Sequence, residues 1–309
     1  MGFRCLELST PAEIHIHRNQ LTIEQQDTSF TIPVEDLDIV IASGSNIRLS
    51  TMDISILAEN NVLFMTIGKD YLPTSMTLTF RSSSRRSLIM RRQLELPKRR
   101  TNRLWDDIIR AKIMNQADAL RLLDIPGSED VRRLIGKVSH GDRRNAEAQA
   151  AALYFQLYHP GLNRRVPLPV NSCLNYSYSV LRSAVARSAA AHGFLLSFGI
   201  HHRSMLNQFN LADDLIEPFR PFADLIAFST VNSNVVLSKE QKRCLMSVLY
   251  MECTIDRMHT TVTNAIDIMI DSVKRYVMDE ADTLSMPSII LPGKELESNA
   301  NHCTSQPDE

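Results

Sequence analysis

The sequence predicts an α+β protein of two domains, a small N-terminal β-sheet domain followed by a larger all-helical domain. Three observations carry that reading. Apolar and polar residues alternate with period two through the first 80 positions, the alternation stops at a block of arginines, and a 3.6-residue period then runs almost to the end. With 309 residues, 44% of them hydrophobic, the chain can bury a substantial core.

Residues 1–80 form the expected β domain. "AEIHIH" and "LTIEQ" flank Arg18 and Asn19, a short polar turn, and read as a hairpin. "FTIPV", "LDIVIAS", "NIRLS", "VLFMTI" and "TSMTLTF" are further short strands, and "STMDISILAEN" is the one helical interruption. So small a sheet has edges and an apolar face to cover. A two-fold partner is the commonest solution, so this domain is expected to dimerise.

Residues 81–103 read as a basic hinge, and the basic character continues past it. From Arg81 to Lys112 the chain carries Arg81, Arg85, Arg86, Arg91, Arg92, Lys98, Arg99, Arg100, Arg103, Arg110 and Lys112 against Glu95, Asp106 and Asp107. Residues 104–285 form the expected helical domain. "LWDDIIRAKIMNQADALRLL" places apolar residues at i, i+3, i+4 and i+7, while "NAEAQAAALYFQLY" and "CLNYSYSVLRSAVARSAAAHGFLLSF" are Ala-rich and continuous. Ser238 with Gln241 makes a capping box for "KEQKRCLMSVLYMEC", and "HTTVTNAIDIMIDSVKRYVM" is the last strong helix. Residues 286–309, with Pro287, Pro292, Gly293 and a polar end, read as a disordered tail.

Formal net charge is −1, so no global field declares a partner and charge has to be read locally. Five cysteines without a C-x-x-C pair argue against a disulfide framework and a thiolate zinc site. The N-terminus lacks the apolar core of a signal peptide, and no apolar run approaches membrane-spanning length. The expected location is the cytoplasm.

The stretch "GIHHRSMLNQFNLADDLIEPFRPFADL" gathers two histidines and three acids in surroundings that otherwise look like protein core. With Asn210 as N-cap, Asp213 falls at N3, which suits both the cap and the helix dipole. Asp214 and Glu217 share a face, and Pro218 and Pro221 would kink a helix beside them. The ordinary explanation is a solvated acidic face with surface histidines. A metal site outweighs it only if another ligand arrives from elsewhere, and Glu147 in "DRRNAEAQAAALYF" is the candidate, although a lone Glu in such a helix is commonly plain surface. Two carboxylates and an imidazole would suit Mg²⁺ or Mn²⁺.

"NYSYSVLRSAVARSAAAHGFLLSFGIHH" followed by "NQFNLADDLIEPFRPFADL" resembles the helical domain of the CRISPR adaptation integrase, the universal CRISPR-associated endonuclease of spacer acquisition. "LWDDIIRAKIMNQADAL" and "NAEAQAAALYF" match in the family's order, across roughly residues 100–285. The "LADDLIEPFRP" wording is closest to members from type II systems. The resemblance implies that Glu147, His202 and Glu217 are the catalytic metal ligands, with Asp214 as an auxiliary acid. His202 rather than His201 holds the fourth place of the family's Gly-hydrophobic-x-His pattern, while Ser204 stands where the family often has Asn.

The implied reaction is metal-dependent joining of the 3′-OH ends of short DNA fragments to a CRISPR repeat by transesterification, without a covalent protein intermediate. The basic residues, with Arg91, Arg92, Arg99, Arg100, Arg143 and Arg144 foremost, would form a phosphate track, although an Arg-rich hinge is often solvated linker. Implied partners are DNA, a second copy through the β domain, and a dimer of the small ferredoxin-like second adaptation protein. Type II relatives also draw on the effector nuclease and an accessory ring protein. Two rival functions survive the sequence: a metal-dependent nuclease that trims branched DNA, and a non-catalytic DNA-binding scaffold.

Overall fold

A computed structural model describes residues 4–25, 28–67, 73–77, 79 and 86–291. The N-terminal part contains strands β1 (Arg4–Leu8), β2 (Ala12–His17), β3 (Gln20–Gln25), β4 (Thr28–Pro33), β5 (Leu37–Ala42) and β6 (Ile47–Arg48), then helix α1 (Thr51–Glu59), β7 (Leu63–Ile67) and β8 (Pro73–Met76). They form two four-stranded sheets, ordered β4-β3-β2-β6 and β1-β5-β7-β8. Arg18 and Asn19 turn the β2–β3 hairpin with φ of 49° and 59°. Two left-handed residues in a two-residue loop match the right-handed twist of the strands. Ser50 and Asp53 cap α1, and Asp53 also accepts the Ile16 N–H, which ties the helix to β2.

Period-two alternation on β5 and β7 divides their side chains between two cores. Val40 and Phe64 face a small core with Ile14, Leu21, Ile23 and Leu57, whereas Ile39, Ile41, Leu63 and Met65 join the large helical core. The second sheet is thus covered on both faces.

The expected hinge is helical from its first described residue. Helix α2 (Arg86–Leu94) is followed after Pro97 by α3 (Lys98–Leu122), and both are fastened to distant parts of the chain. Arg86 donates to the Ala190 carbonyl at 2.8 Å, and the Gln93 amide exchanges hydrogen bonds with Leu195. Arg100 donates to the Tyr276 carbonyl at 2.6 Å, and its guanidinium lies 4.1 Å from that ring's centroid. Arg81 and Arg85 lie outside the described residues.

Helix α3 packs on α4 (Ser128–Arg133), α5 (Ala146–Tyr158) and α8 (Arg220–Thr230), while α6 (Pro169–Ala191) packs on α7 (Asn210–Leu215), α8 and α9 (Lys239–Met246). They are followed by a hairpin of β9 (Glu252–Ile255) and β10 (Met258–Thr261), and then α10 (Val262–Val277). The hairpin is a departure from an all-helical domain. Asp256 and Arg257 adopt φ of 49° and 66°, and Cys253 and Ile255 are buried as alternate residues of β9. The Ser238–Gln241 capping box opens α9, as its sequence requires.

Met286–Leu291 also departs from expectation. Ser288 and Thr254 exchange backbone hydrogen bonds, and Ile289 and Leu291 are buried. The rest of the expected tail, 292–309, lies outside the described residues. Among the described residues no helix is long and apolar enough to cross a membrane.

Candidate active site

Glu147 stands in the first turn of α5, and the loop before it sets its direction. Asp106 on α3 accepts the Gly141 and Asp142 N–H groups, and the Asp142 carboxylate accepts those of Ala146 (2.8 Å) and Glu147 (2.9 Å). A carboxylate placed there satisfies two of the orphan donors of the helix start. Glu147 therefore faces α3.

Glu217 arrives from the opposite side. The helix expected across "LADDLIEPFRP" breaks after Leu215, a 3₁₀ turn runs over Glu217–Phe219, and α8 begins at Arg220. Pro218 and Pro221 lie in the first turns of these new segments, where the missing N–H costs nothing, so they start helices rather than kink one. The buried Asn115 of α3 donates to the carbonyls of Pro218 (2.8 Å) and Pro287 (3.0 Å) and accepts the Ile289 N–H. One side chain thus fixes both the Glu217 turn and the final described segment.

Between the two glutamates sits Lys112. Its ammonium contacts Glu147 Oε1 and lies 2.6 Å from Glu217 Oε2, and Arg220 Nε lies 2.9 Å from Glu217 Oε1. Burial pulls the lysine's proton affinity down, but Glu217 and Glu147 outweigh it and hold the ammonium above its ordinary range. Burial pushes Glu217 up, yet Lys112 and Arg220 together carry it below the ordinary carboxylate range. Glu217 Oε2 is buried without a well-directed hydrogen bond, so its contact with Lys112 is one of charge.

His202 lies on the loop between α6 and α7. Buried Asp214 accepts backbone N–H groups from Ile200 (2.6 Å), His201 (2.9 Å) and His202 (3.2 Å), and also contacts His202 Nδ1 at 2.6 Å. A Cβ at Gly199 would fall 2.6 Å from Asp214 Oδ2 and 2.5 Å from the His202 carbonyl oxygen, so glycine permits this close approach. With Nδ1 engaged, the contact selects the tautomer whose Nε2 carries the free lone pair. The Asp214 hydrogen bond raises the His202 pKa; burial opposes it, and the charges of Asp214, Glu217 and Asp213 add to the rise. His201 instead stacks on Trp105, with ring centroids 4.3 Å apart and planes 6° from parallel.

Asp214, expected as an auxiliary acid, has both oxygens engaged by the histidine loop in this arrangement. One expectation needs correction. Asn210 is not the N-cap of α7 but its first residue, and its amide turns back to the carbonyls of Ser197 and Ser204. Asp213 correspondingly pairs with Asn207 and Arg182.

The structure brings Glu147 and Glu217 onto one ammonium, with His202 close enough to exert an electrostatic pull on Glu217. Among the described residues no three His, Cys, Asp or Glu side chains converge tightly enough to hold one ion in this arrangement. The donor set nevertheless fits a hard divalent cation: two carboxylates, one with a poorly satisfied buried oxygen, and an oriented imidazole. Of the expected phosphate contacts, Arg91, Arg99, Arg143 and Arg144 are exposed. Arg92 pairs with Asp279, while Arg100 is committed to Asp279, Asp282 and Tyr276 as a structural brace.

Lys112, Arg220, Asp142 and Trp105 were not identified as site residues from the sequence. Lys112 carried a signal, because it continues the buried stripe of Leu104 and Ile108 at four-residue spacing, where a charge requires a partner.

The family model described as "CRISPR associated protein Cas1" matches residues 7–258. The chain belongs to the Cas1 family. A CRISPR-associated endonuclease Cas1 from Neisseria meningitidis serogroup C is 37% identical over 304 residues, covering 96% of this chain and 99% of the relative. Among solved structures, a casposase bound to integration product superposes with a TM-score of 0.75 at 18% identity, covering 91% of this chain and 92% of that one. A Cas1 protein from Thermotoga maritima gives 0.70 at 14% identity, covering 90% and 98%. The two-sheet N-terminal part and the helical part therefore follow the Cas1 fold.

Proposed function

We propose that this Cas1-family chain is a divalent-metal-dependent DNA integrase and endonuclease of CRISPR adaptation, joining the 3′-OH ends of short DNA fragments to a CRISPR repeat. The observation that carries the reading is the convergence of Glu147 and Glu217, from separate helices, on the single buried ammonium of Lys112. A full-length relative named as a CRISPR-associated endonuclease supports it.

Glu147, Glu217 and His202 Nε2 would hold Mg²⁺ or Mn²⁺. A bound cation would polarise the phosphoryl oxygen and lower the pKa of the attacking hydroxyl. The chain's own residues supply the rest. Asp214 orients His202, Arg220 offsets the charge of Glu217, and the Trp105–His201 stack braces the histidine loop. Lys112 holds together two carboxylates that would otherwise repel, and it would give way to a cation bound between them. In the reaction the fragment's 3′ oxygen bonds to the repeat phosphorus. The bond from that phosphorus to the repeat strand's own 3′ oxygen breaks, and the departing oxygen takes a proton.

Exposed Arg91, Arg99, Arg143 and Arg144 would track phosphates. The protein acts in the cytoplasm as a homodimer through the β domain. The exposed edge strand β4, with Phe30 half exposed, supports that contact. The dimer of the small ferredoxin-like second adaptation protein bridges two such dimers, with the type II effector nuclease and accessory protein as further partners. The test is strand transfer into a repeat-bearing plasmid by the purified protein with its partner. EDTA should abolish joining, and joining that survives chelation would contradict the reading.

A further inference from the structure

The loop after His202 breaks two local rules at once. Ser204 to Asn207 is a β-turn closed by the Asn207 N–H to the Ser204 carbonyl at 3.4 Å, so Met205 and Leu206 hold its two corner positions. Corners normally take Gly, Asn, Asp, Ser or Pro, and large apolar side chains normally seek burial. Here both side chains are 97% exposed. The turn is not loosely held. Asn210 donates to the Ser204 carbonyl at 2.8 Å and accepts the Ser204 N–H, while Asn207 donates to Asp213 at 2.6 Å. An apolar tip is thus presented on a fastened stem, three residues from His202. Violations of local sequence preference that the fold takes care to support are expected at functional sites.

We propose that Met205 and Leu206 form a wedge that enters between bases of the DNA beside the reacting phosphodiester. The inference rests on the catalytic reading of the His202 site. Large apolar side chains on DNA-binding surfaces open base steps and kink the duplex, and exposed Arg203 next to the tip suits the flanking phosphate. A protein partner fits less well. Stable protein interfaces cover roughly 800 Å² per side, whereas this feature is a two-residue point at a turn. Opening the step would free the attacked phosphate from the stacked helix and let it approach His202.

The experiment uses full-length protein and a branched DNA shaped like the joined product, which the same site should resolve by microscopic reversibility. 2-Aminopurine flanks the junction. Wild-type protein should raise its fluorescence as the base unstacks, and His202→Ala should retain that rise while losing cleavage. The Met205→Ser/Leu206→Ser variant should melt like wild type, lose most of the rise and resolve the branch about tenfold more slowly. An abasic position at the same step, already unstacked, should restore its rate. A full fluorescence rise in the double variant, no rescue by the abasic substrate, or a defect confined to self-association would overturn the wedge. A wild-type protein that raises the fluorescence but never cleaves supports the wedge and contradicts the catalytic reading, so the two fail separately.

Discussion

Glu217 and Asp224 lie two helical turns apart, both buried, and the protein treats them in opposite ways. Glu217 faces Lys112 and Arg220, whose charges overcome burial and keep it ionised. Asp224 faces tyrosines: Tyr178 donates to its Oδ1, and burial pushes its pKa up to about 6 despite that bond. Arg220 stands between them, ion-paired with Glu217 and with its guanidinium 4.7 Å from the centroid of Tyr178. A carboxylate given neutral hydroxyl partners is being stabilised as structure. One given cations, beside a partly exposed Glu147 on the same ammonium, is being held as charge.

The largest effect should come from deleting that charge. Glu217→Gln or Glu147→Gln should lower metal-dependent strand transfer by about 1,000-fold, as loss of several kcal/mol of cation-borne stabilisation requires. Asp224→Asn in parallel should leave the rate within a few-fold of wild type, and equal losses at the two positions would erase the contrast.

Lys112→Met sharpens it further. Removing one member of a buried ionic cluster costs about 3–5 kcal/mol, here through the repulsion of Glu147 and Glu217. Metal-free protein should therefore melt lower, and Mn²⁺ should raise its melting temperature more than it raises that of wild type. The sole tryptophan, Trp105, stacked on His201, gives a second readout through quenching by Mn²⁺. Equal Mn²⁺-induced shifts in the two proteins would show that Lys112 does not share the cation's place.

Asp214→Asn tests the contact that orients the His202 ring. With His202 less firmly oriented, strand transfer should fall 10–100-fold, by the general range for partners that orient ligands. DNA binding should hold. Unchanged kinetics would mean that the contact with Nδ1 does not matter to the reaction.

The smallest effect is on stability. Because Asp224 titrates near 6 when folded and ~4 when unfolded, the folded protein keeps a proton that the unfolded chain has released. The contribution is full below about pH 4 and is lost as pH rises through about 6. Asp224→Asn should flatten the stability profile across that window, and an unaltered slope would contradict the assignment.

Much of this was legible in the sequence, for identifiable reasons. The β2–β3 hairpin and the α9 cap are local, determined by Arg18, Asn19, Ser238 and Gln241 with their neighbours. Glu147, His202 and Glu217 could be named because family motifs occur in order, a signal independent of packing. What escaped depends on contacts distant in sequence. Lys112 looked like one more cation in a basic run until α5 and the Glu217 turn closed on it. Arg86 and Arg100 looked like hinge residues, although carbonyls 104 and 176 positions away bind them. Pro287 and Ile289 looked like tail until Asn115 engaged both. The β9–β10 hairpin was hidden because its strands border two helical runs: Glu252 and Cys253 read as the end of one helix and His259–Thr261 as the start of the next.

If Glu147 and Glu217 are held together for a divalent cation, Lys112 occupies the place that the cation would take. Anomalous diffraction from crystals of the full-length protein grown with Mn²⁺ tests it most directly. One peak should appear, bounded by the carboxylates of Glu147 and Glu217 and by His202 Nε2, with the Lys112 ammonium withdrawn from at least one glutamate. A Mn²⁺ peak on His201 or elsewhere, with Lys112 still bridging both glutamates, would contradict it.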